Sequence, residues 1–134
     1  TFSKDDTLTK EIVIKTDLNF SQNINTYKNE LLHVILNILQ NSTEAFASSS
    51  ETTKMIKIFG ETINNKVHID FTDNAGGIAA EDFPFIFDEH YTTKKSDTGS
   101  GIGLYLTQKI IQEHLDGSIE AVNIDNGTIF RIII

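Results

Sequence analysis

The chain has no cysteine and no tryptophan, one proline and one methionine among its 134 residues. Without cysteine there can be no disulfide and no thiolate metal site, a usage that suits a cytoplasmic protein. Basic residues are few: 11 against 19 acidic ones, for a net charge of −8. That balance argues against a nucleic-acid surface as the main role. It also means that any bound polyphosphate must be held by local help, from backbone N–H groups, a metal and a few lysines. No apolar run approaches the ~20 residues of a membrane span, so no membrane contact is expected of this stretch. There is no internal repeat, and the only low-complexity tract is Ala47-Ser48-Ser49-Ser50. The length suits a single domain spanning 1–134, with residues 1–10 polar and read as linker or irregular. The first residue is Thr1, which reads as the start of a piece of a longer protein.

What is present begins with glycine. Gly99, Gly101 and Gly103 fall at alternate positions in Asp97–Leu104, and a helix-forming pattern follows without a gap. Alternating glycines let a backbone approach a ligand, and the helix start adds unpaired N–H groups and the positive end of its dipole. The spacing G-x-G-x-G is neither the dinucleotide pattern nor the P-loop. Alone it could be a flexible turn; with support it is a phosphate site.

The rest of the chain reads as strand, helix, two strands, helix, two strands. Glu11–Lys15 is a weak β-branched strand. Asn29–Ala47 is a helix with Leu32, Ile35, Leu39 and Phe46 as its apolar stripe and Leu31 and Ile38 beside it. Lys54–Ile63 and Lys66–Thr72 form a hairpin around Asn64-Asn65. Phe83–Asp88 is a short helical turn around Pro84, and 89–100 is a polar loop. Ile102–Leu115 is a second helix with Leu104, Ile111 and Leu115 inward. Ser118–Asn123 and Thr128–Ile134 form a last hairpin around Asp125-Asn126-Gly127. With hairpins dominant, the sheet should be mixed, with both long helices on one face.

Several residues could carry chemistry. Asn37 and Asn41 lie four apart on one helix face. An asparagine carbonyl can ligate Mg²⁺ beside phosphate oxygens; the alternative is two polar residues on a solvated face. Asp73 ends a strand and enters Asn74-Ala75-Gly76-Gly77, where its carboxylate could accept from an exocyclic amine such as that of adenine and Gly76 and Gly77 would admit a flat base. The alternative is an ordinary Asp-Asn turn. Phe83, Phe85, Phe87 and Tyr91 crowd the segment before the glycine run, as a hinge or as core filling. Lys94 and Lys95 stand on the polar loop within reach of phosphates, or are solvated. The histidines His33, His68, His90 and His114 show no metal-ligand spacing.

Together these pieces resemble the catalytic ATP-binding domain of sensor histidine kinases, within the GHKL superfamily of gyrase-type topoisomerases, mismatch-repair ATPases and heat-shock chaperones. Asn37-Ile38-Leu39-Gln40-Asn41-Ser42-Thr43-Glu44-Ala45 is similar to the asparagine box. Asp73-Asn74-Ala75-Gly76-Gly77-Ile78 is similar to the first glycine box. Phe83 to Phe87 and Tyr91-Thr92-Thr93-Lys94 resemble the phenylalanine box and lid. Gly99-Ser100-Gly101-Ile102-Gly103-Leu104 resembles the second glycine box, and Gly127-Thr128-Ile129-Phe130 the closing strand. The Asn-Ser-Thr-Glu-Ala and Tyr-Thr-Thr-Lys wording is most like nitrogen- and dicarboxylate-sensing kinases. Ala75 stands where the first glycine box often has glycine, so the turn must avoid a glycine-only conformation there.

The resemblance implies a two-layer α/β sandwich of the Bergerat type, a mixed sheet with helices on one face. It implies ATP and Mg²⁺ as cofactors, with Asn41 as the metal ligand and Asn37, Asn41 and Lys94 as catalytic residues. Asp73 would read adenine with Thr128 beside it. Gly77, Ile78, Tyr91, Thr92, Thr93, Lys94, Gly99, Ser100, Gly101, Ile102, Gly103 and Leu104 would complete the ATP site. The hydrolytic relatives carry a glutamate base four residues before the metal asparagine; here that position is Asn37, and Glu44 is the nearest carboxylate on a similar face. Water attack should therefore be slow. The implied role is to donate the γ-phosphate to a histidine on a phosphoacceptor domain of the same protein, upstream of a response regulator. The implied isolated domain is a cytoplasmic monomer, and its parent a membrane-anchored sensor. A regulatory module that binds nucleotide without transfer, or a GHKL-type ATPase, is the alternative.

Overall fold

The computed structural model describes residues 12–20, 27–89 and 103–134. Among the described residues, five strands and two helices follow in chain order: β1 (Ile12–Asn19), α1 (Lys28–Phe46), β2 (Lys54–Ile63), β3 (Lys66–Asp73), α2 (Gly103–Glu113), β4 (Ser118–Ile124) and β5 (Gly127–Ile133). A 3₁₀ turn, Phe83–Phe85, holds Pro84 in its first turn, where a missing N–H costs nothing.

All five strands join one mixed sheet in the order β1-β2-β3-β5-β4. The β2–β3 pair is the hairpin read from the sequence. Asn64 (φ 52°) and Asn65 (φ 65°) both take the left-handed conformation, as a two-residue turn matched to strand twist requires. Asparagine tolerates that region better than most side chains. β1 runs parallel to β2 from Ile12↔Lys54 to Asn19↔Glu61. It is therefore longer than the stretch Glu11–Lys15 expected for it. Most of β1 is exposed, so the polar residues in Lys15–Asn19 gave no period-two signal there.

The core lies on one face of the sheet. Val67, Ile69 and Phe71 of β3, Phe130 and Ile132 of β5 and Ile119 of β4 meet Val34 and Ile38 of α1 and Ile111 of α2, with Leu115 just beyond that helix. Burying each such side chain contributes ~1.5–3 kcal/mol. Lys66, His68, Asp70 and Thr72 alternate onto the other face. There the Asp70 carboxylate takes both a 2.9 Å bond from Arg131 Nε and a 3.0 Å bond from Nη2, and it raises the guanidinium's pKa above its ordinary value.

One expectation about α1 is overturned. Its buried residues are Val34, Ile38, Ser42 and Phe46, and Leu32 is 51% exposed. Ile35 and Leu39 only flank the core. The segment Leu31–Leu39 is apolar except for His33 and Asn37. Several helical stripes are therefore available to it, and packing on the sheet selects one. Ile111 of α2 and Leu115, two residues past its end, are buried as expected, Leu104 is half-buried, and Thr107 is wholly buried with its hydroxyl donating to the Gly103 carbonyl at 2.7 Å. Of the crowded aromatics, Phe87 packs on the core beside Ile86, whereas Phe85 is exposed.

Candidate functional site

Asp73 is the last residue of β3 and is 5% exposed, a carboxylate taken almost wholly out of water. Such burial costs several kcal/mol unless hydrogen bonds replace the lost hydration. Two do so. The Ser42 hydroxyl donates to Oδ2 at 2.9 Å, and the Ala75 N–H donates to Oδ1 at 3.1 Å. Each carboxylate oxygen accepts about two hydrogen bonds, so Asp73 retains acceptor capacity on both. Thr128 pairs with Asp73 across β3 and β5 and is itself 4% exposed. Gly127 lies so close that a Cβ there would fall on the Asp73 carbonyl oxygen. Only glycine lets the β4–β5 turn approach the end of β3 this far.

The loop after Asp73 is fastened along its length. Asn74 Oδ1 accepts from the Met55 N–H at 2.9 Å and its Nδ2 donates to the Thr53 carbonyl at 2.7 Å. Gly76 N–H donates to the Asn126 carbonyl at 3.1 Å. Ile78 is bound in both directions by the Asn123 carboxamide, at 2.9 and 2.7 Å. Gly76 (φ 100°) and Gly77 (φ 81°) take the positive-φ conformation, and Ala75 does not. An alanine in place of the family's frequent glycine is thus free of strain. The space beside Gly76 is open, with nothing among the described residues within 4 Å of where a Cβ would stand.

Asn37 and Asn41 are both partly buried on α1, on the side away from exposed Leu32 and Leu36. Asn37 Nδ2 is buried and has no hydrogen-bond partner among the described residues. An orphaned donor of this kind costs ~1–3 kcal/mol, and native proteins keep one mainly where a ligand, ion or water will meet it. α1 and α2 pack together, and Glu30 Oε2 lies 3.8 Å from His114 Nδ1, so the start of α1 sits beside the end of α2. Gly103 is exposed at the first residue of α2, and no other described residue comes within 4 Å of where a Cβ would stand. Glu44 is half-buried three residues after Asn41, and its Oε2 accepts from Gln40 Nε2 at 3.2 Å.

The structure thus brings Asp73, Gly77, Ile78 and Thr128 together at one end of the sheet. Tyr91, Thr92, Thr93, Lys94, Gly99, Ser100, Gly101 and Ile102 lie outside the described residues, as does all of the loop expected at 89–100 except Glu89. Sequence reasoning missed Ser42 and Asn123. Both left a signal: each is a polar residue at a position whose period points inward, Ser42 four after Ile38 and Asn123 two after Ala121 and four after Ile119.

A resident metal would find few ligands here. No group of three or more His, Cys, Asp or Glu side chains among the described residues could hold one. The Asn41 amide oxygen suits Mg²⁺ as a single protein donor, since this ion keeps several waters and takes its remaining ligands from phosphates. The residues therefore fit a metal that arrives with a nucleotide.

Comparison with known proteins bears on the family and the fold. Residues 26–134 match the family model described as histidine kinase-, DNA gyrase B-, and HSP90-like ATPase, and the chain belongs to that family. It is 32% identical over 126 residues to a probable C4-dicarboxylate sensor kinase of Halalkalibacterium halodurans, a match covering 91% of this chain and 23% of the relative. It is 42% identical over 85 residues to the signal transduction histidine-protein kinase ArlS of Staphylococcus aureus, covering 60% of this chain and 19% of that one. The chain therefore spans about a quarter or less of the length of these relatives. Its fold is similar to the nucleotide-free catalytic domain of histidine kinase ThkA, with TM-score 0.73, 27% identity, and coverage of 90% of this chain and 78% of the other. The mycobacterial sensor histidine kinase MprB shares the fold at TM-score 0.70 and 19% identity, covering 90% and 80%. The mixed five-stranded sheet with its two helices is the α/β sandwich of histidine kinase catalytic domains. No helix among the described residues is long and apolar enough to cross a membrane.

Proposed function

We propose that this chain binds Mg·ATP and donates the γ-phosphate to a histidine on a separate phosphoacceptor domain. The observation that carries the reading is Asp73: a buried carboxylate, oriented on both oxygens and still able to accept, beside a glycine loop with open space. Adenine offers an amino group where guanine offers a carbonyl, so an acceptor at this point favours adenine. The Asn37 Nδ2 donor has no partner among the described residues and suits a phosphate oxygen. Asn41, Thr128, Gly77, Ile78, Gly103 and Leu104 complete the part of the site that lies in the described residues. Tyr91 to Lys94 and Gly99 to Ile102 would cover and wrap the triphosphate.

Transfer to a side chain is favoured over hydrolysis by the residue at position 37. An asparagine amide cannot take a proton from water near neutral pH. Phosphoryl transfer otherwise needs positioning and charge neutralisation, which a docked acceptor can use. The parent protein would be a sensor kinase acting on a response regulator, with this domain in the cytoplasm. The test uses radiolabelled ATP. The chain alone should neither label itself nor hydrolyse ATP briskly. With the acceptor domain added, label should appear on the acceptor as acid-labile, base-stable phosphate, slowly because cutting the linker lowers the effective concentration. Tight binding with no transfer at high acceptor concentration would instead identify a regulatory module.

A further inference from the structure

We infer that Asn123 is a positioning residue for nucleotide recognition, holding the base-side loop through Ile78 without touching the ligand. The inference rests on the nucleotide-binding reading above. Asn123 lies near the end of β4, paired with Thr128, which in turn pairs with Asp73. It is thus two strands from the carboxylate, on the inward-facing register. Its carboxamide meets both backbone groups of one residue, which belong to two successive peptide units. The Ile78 N–H donates to Oδ1 at 2.9 Å, and Nδ2 donates to the Ile78 carbonyl at 2.7 Å. This is the pair of bonds that a neighbouring strand would make, supplied by one side chain where no strand continues.

The approach is close. A Cβ on Gly77 would lie 3.2 Å from Asn123 Oδ1 and 3.3 Å from the Gly127 carbonyl oxygen, and the φ of 81° at Gly77 disfavours other residues as well. The near end of the loop is tied by Asn74 to Met55 and Thr53, and its middle by Gly76 to Asn126. Asn123 supplies the side-chain tie at the far end. The Ile78 side chain packs against the core, but without Asn123 its N–H and carbonyl would lose the hydrogen bonds that fix this backbone relative to the Asp73 carboxylate. A flat base that must touch both needs the distance between them set. Only a carboxamide of this length offers donor and acceptor together. Aspartate keeps the acceptor and loses the donor, and alanine loses both.

Asn123 is exposed, so truncating it opens no cavity in the core. The experiment compares the wild-type chain with Asn123→Ala and Asn123→Asp. It uses calorimetric titration with Mg·ATP and with Mg·ADP, amide hydrogen exchange at Ile78, and thermal unfolding without nucleotide. Asn123→Ala should weaken ATP and ADP by the same factor, about tenfold, because the clamp acts on the base side. The Ile78 amide should exchange faster, the unfolding midpoint should stay near wild type, and Asn123→Asp should fall between. Wild-type affinity in Asn123→Ala overturns the inference. So does a loss much larger for ATP than for ADP, which would place the effect at the phosphates. A loss accompanied by a fallen midpoint and faster exchange throughout β4 and β5 would make Asn123 merely structural. A wild-type chain that binds neither nucleotide would overturn the functional reading itself.

Discussion

Ser42 and Asp73 stand 31 residues apart in the chain and are joined by a buried side-chain hydrogen bond of 2.9 Å. One comes from the inward stripe of α1 and the other from the last position of β3. The bond ties the helix that carries Asn37 and Asn41 to the strand that carries the proposed base reader. The two halves of the site are thereby held in one frame.

Replacing Ser42 with Ala should therefore reach beyond the helix. Asp73 Oδ2 would lose its protein donor while remaining buried, at a cost of ~1–3 kcal/mol of stability. Denaturant unfolding should show this as a lower midpoint at unchanged slope. ATP affinity should fall as well, because the carboxylate would be free to turn.

Asp73→Asn should weaken ATP binding by at least ~1–3 kcal/mol, since a charge-assisted bond is lost and a donor can now face a donor. Preference for adenine over guanine nucleotides should narrow with it. Titration of both nucleotides against both proteins checks this, and equal affinity of the wild type for the two would remove Asp73 from the role.

For Asn37→Ala, stability and binding should move in opposite directions. The orphaned Nδ2 makes no bond among the described residues, so losing it should leave stability unchanged or raise it by up to ~1 kcal/mol. Triphosphate binding should weaken. A variant that is clearly less stable without nucleotide would mean that the amide has a structural partner.

Asn41→Ala should abolish the Mg²⁺ dependence of ATP binding or transfer while the circular dichroism and unfolding midpoint stay near wild type. Comparing affinity with Mg²⁺ and with a chelator in both proteins measures it. A mutant that transfers phosphate normally would locate the metal ligand elsewhere.

Gly127→Ala should damage fold and site together, because its new methyl group would fall on the Asp73 carbonyl oxygen. Overpacking against backbone costs ~1–3 kcal/mol or more. Thermal unfolding gives the loss, and ATP titration below the midpoint should show weakened binding even in the folded fraction.

The sequence by itself determined the order of elements, both hairpins and the run of motifs. Those are local facts. Asn64-Asn65 can turn a chain without help, Val67, Ile69 and Phe71 alternate whatever lies beneath them, and the asparagine and glycine residues at their spacing are legible in one dimension. Tertiary structure decided what needed a second partner. Leu31–Leu39 offers more apolar surface than one helix face can bury, so only contact with the sheet turned Val34 and Ile38 inward and left Leu32 in water. The extent of β1 came from pairing with β2, since its exposed residues carry no alternation of their own. The insertion of β5 between β3 and β4 set Thr128 against Asp73 and brought Asn123 to Ile78. Hydrogen bonds between distant segments follow from the register of strands and the rotation of a helix, and neither is encoded in the spacing of residues along a single element.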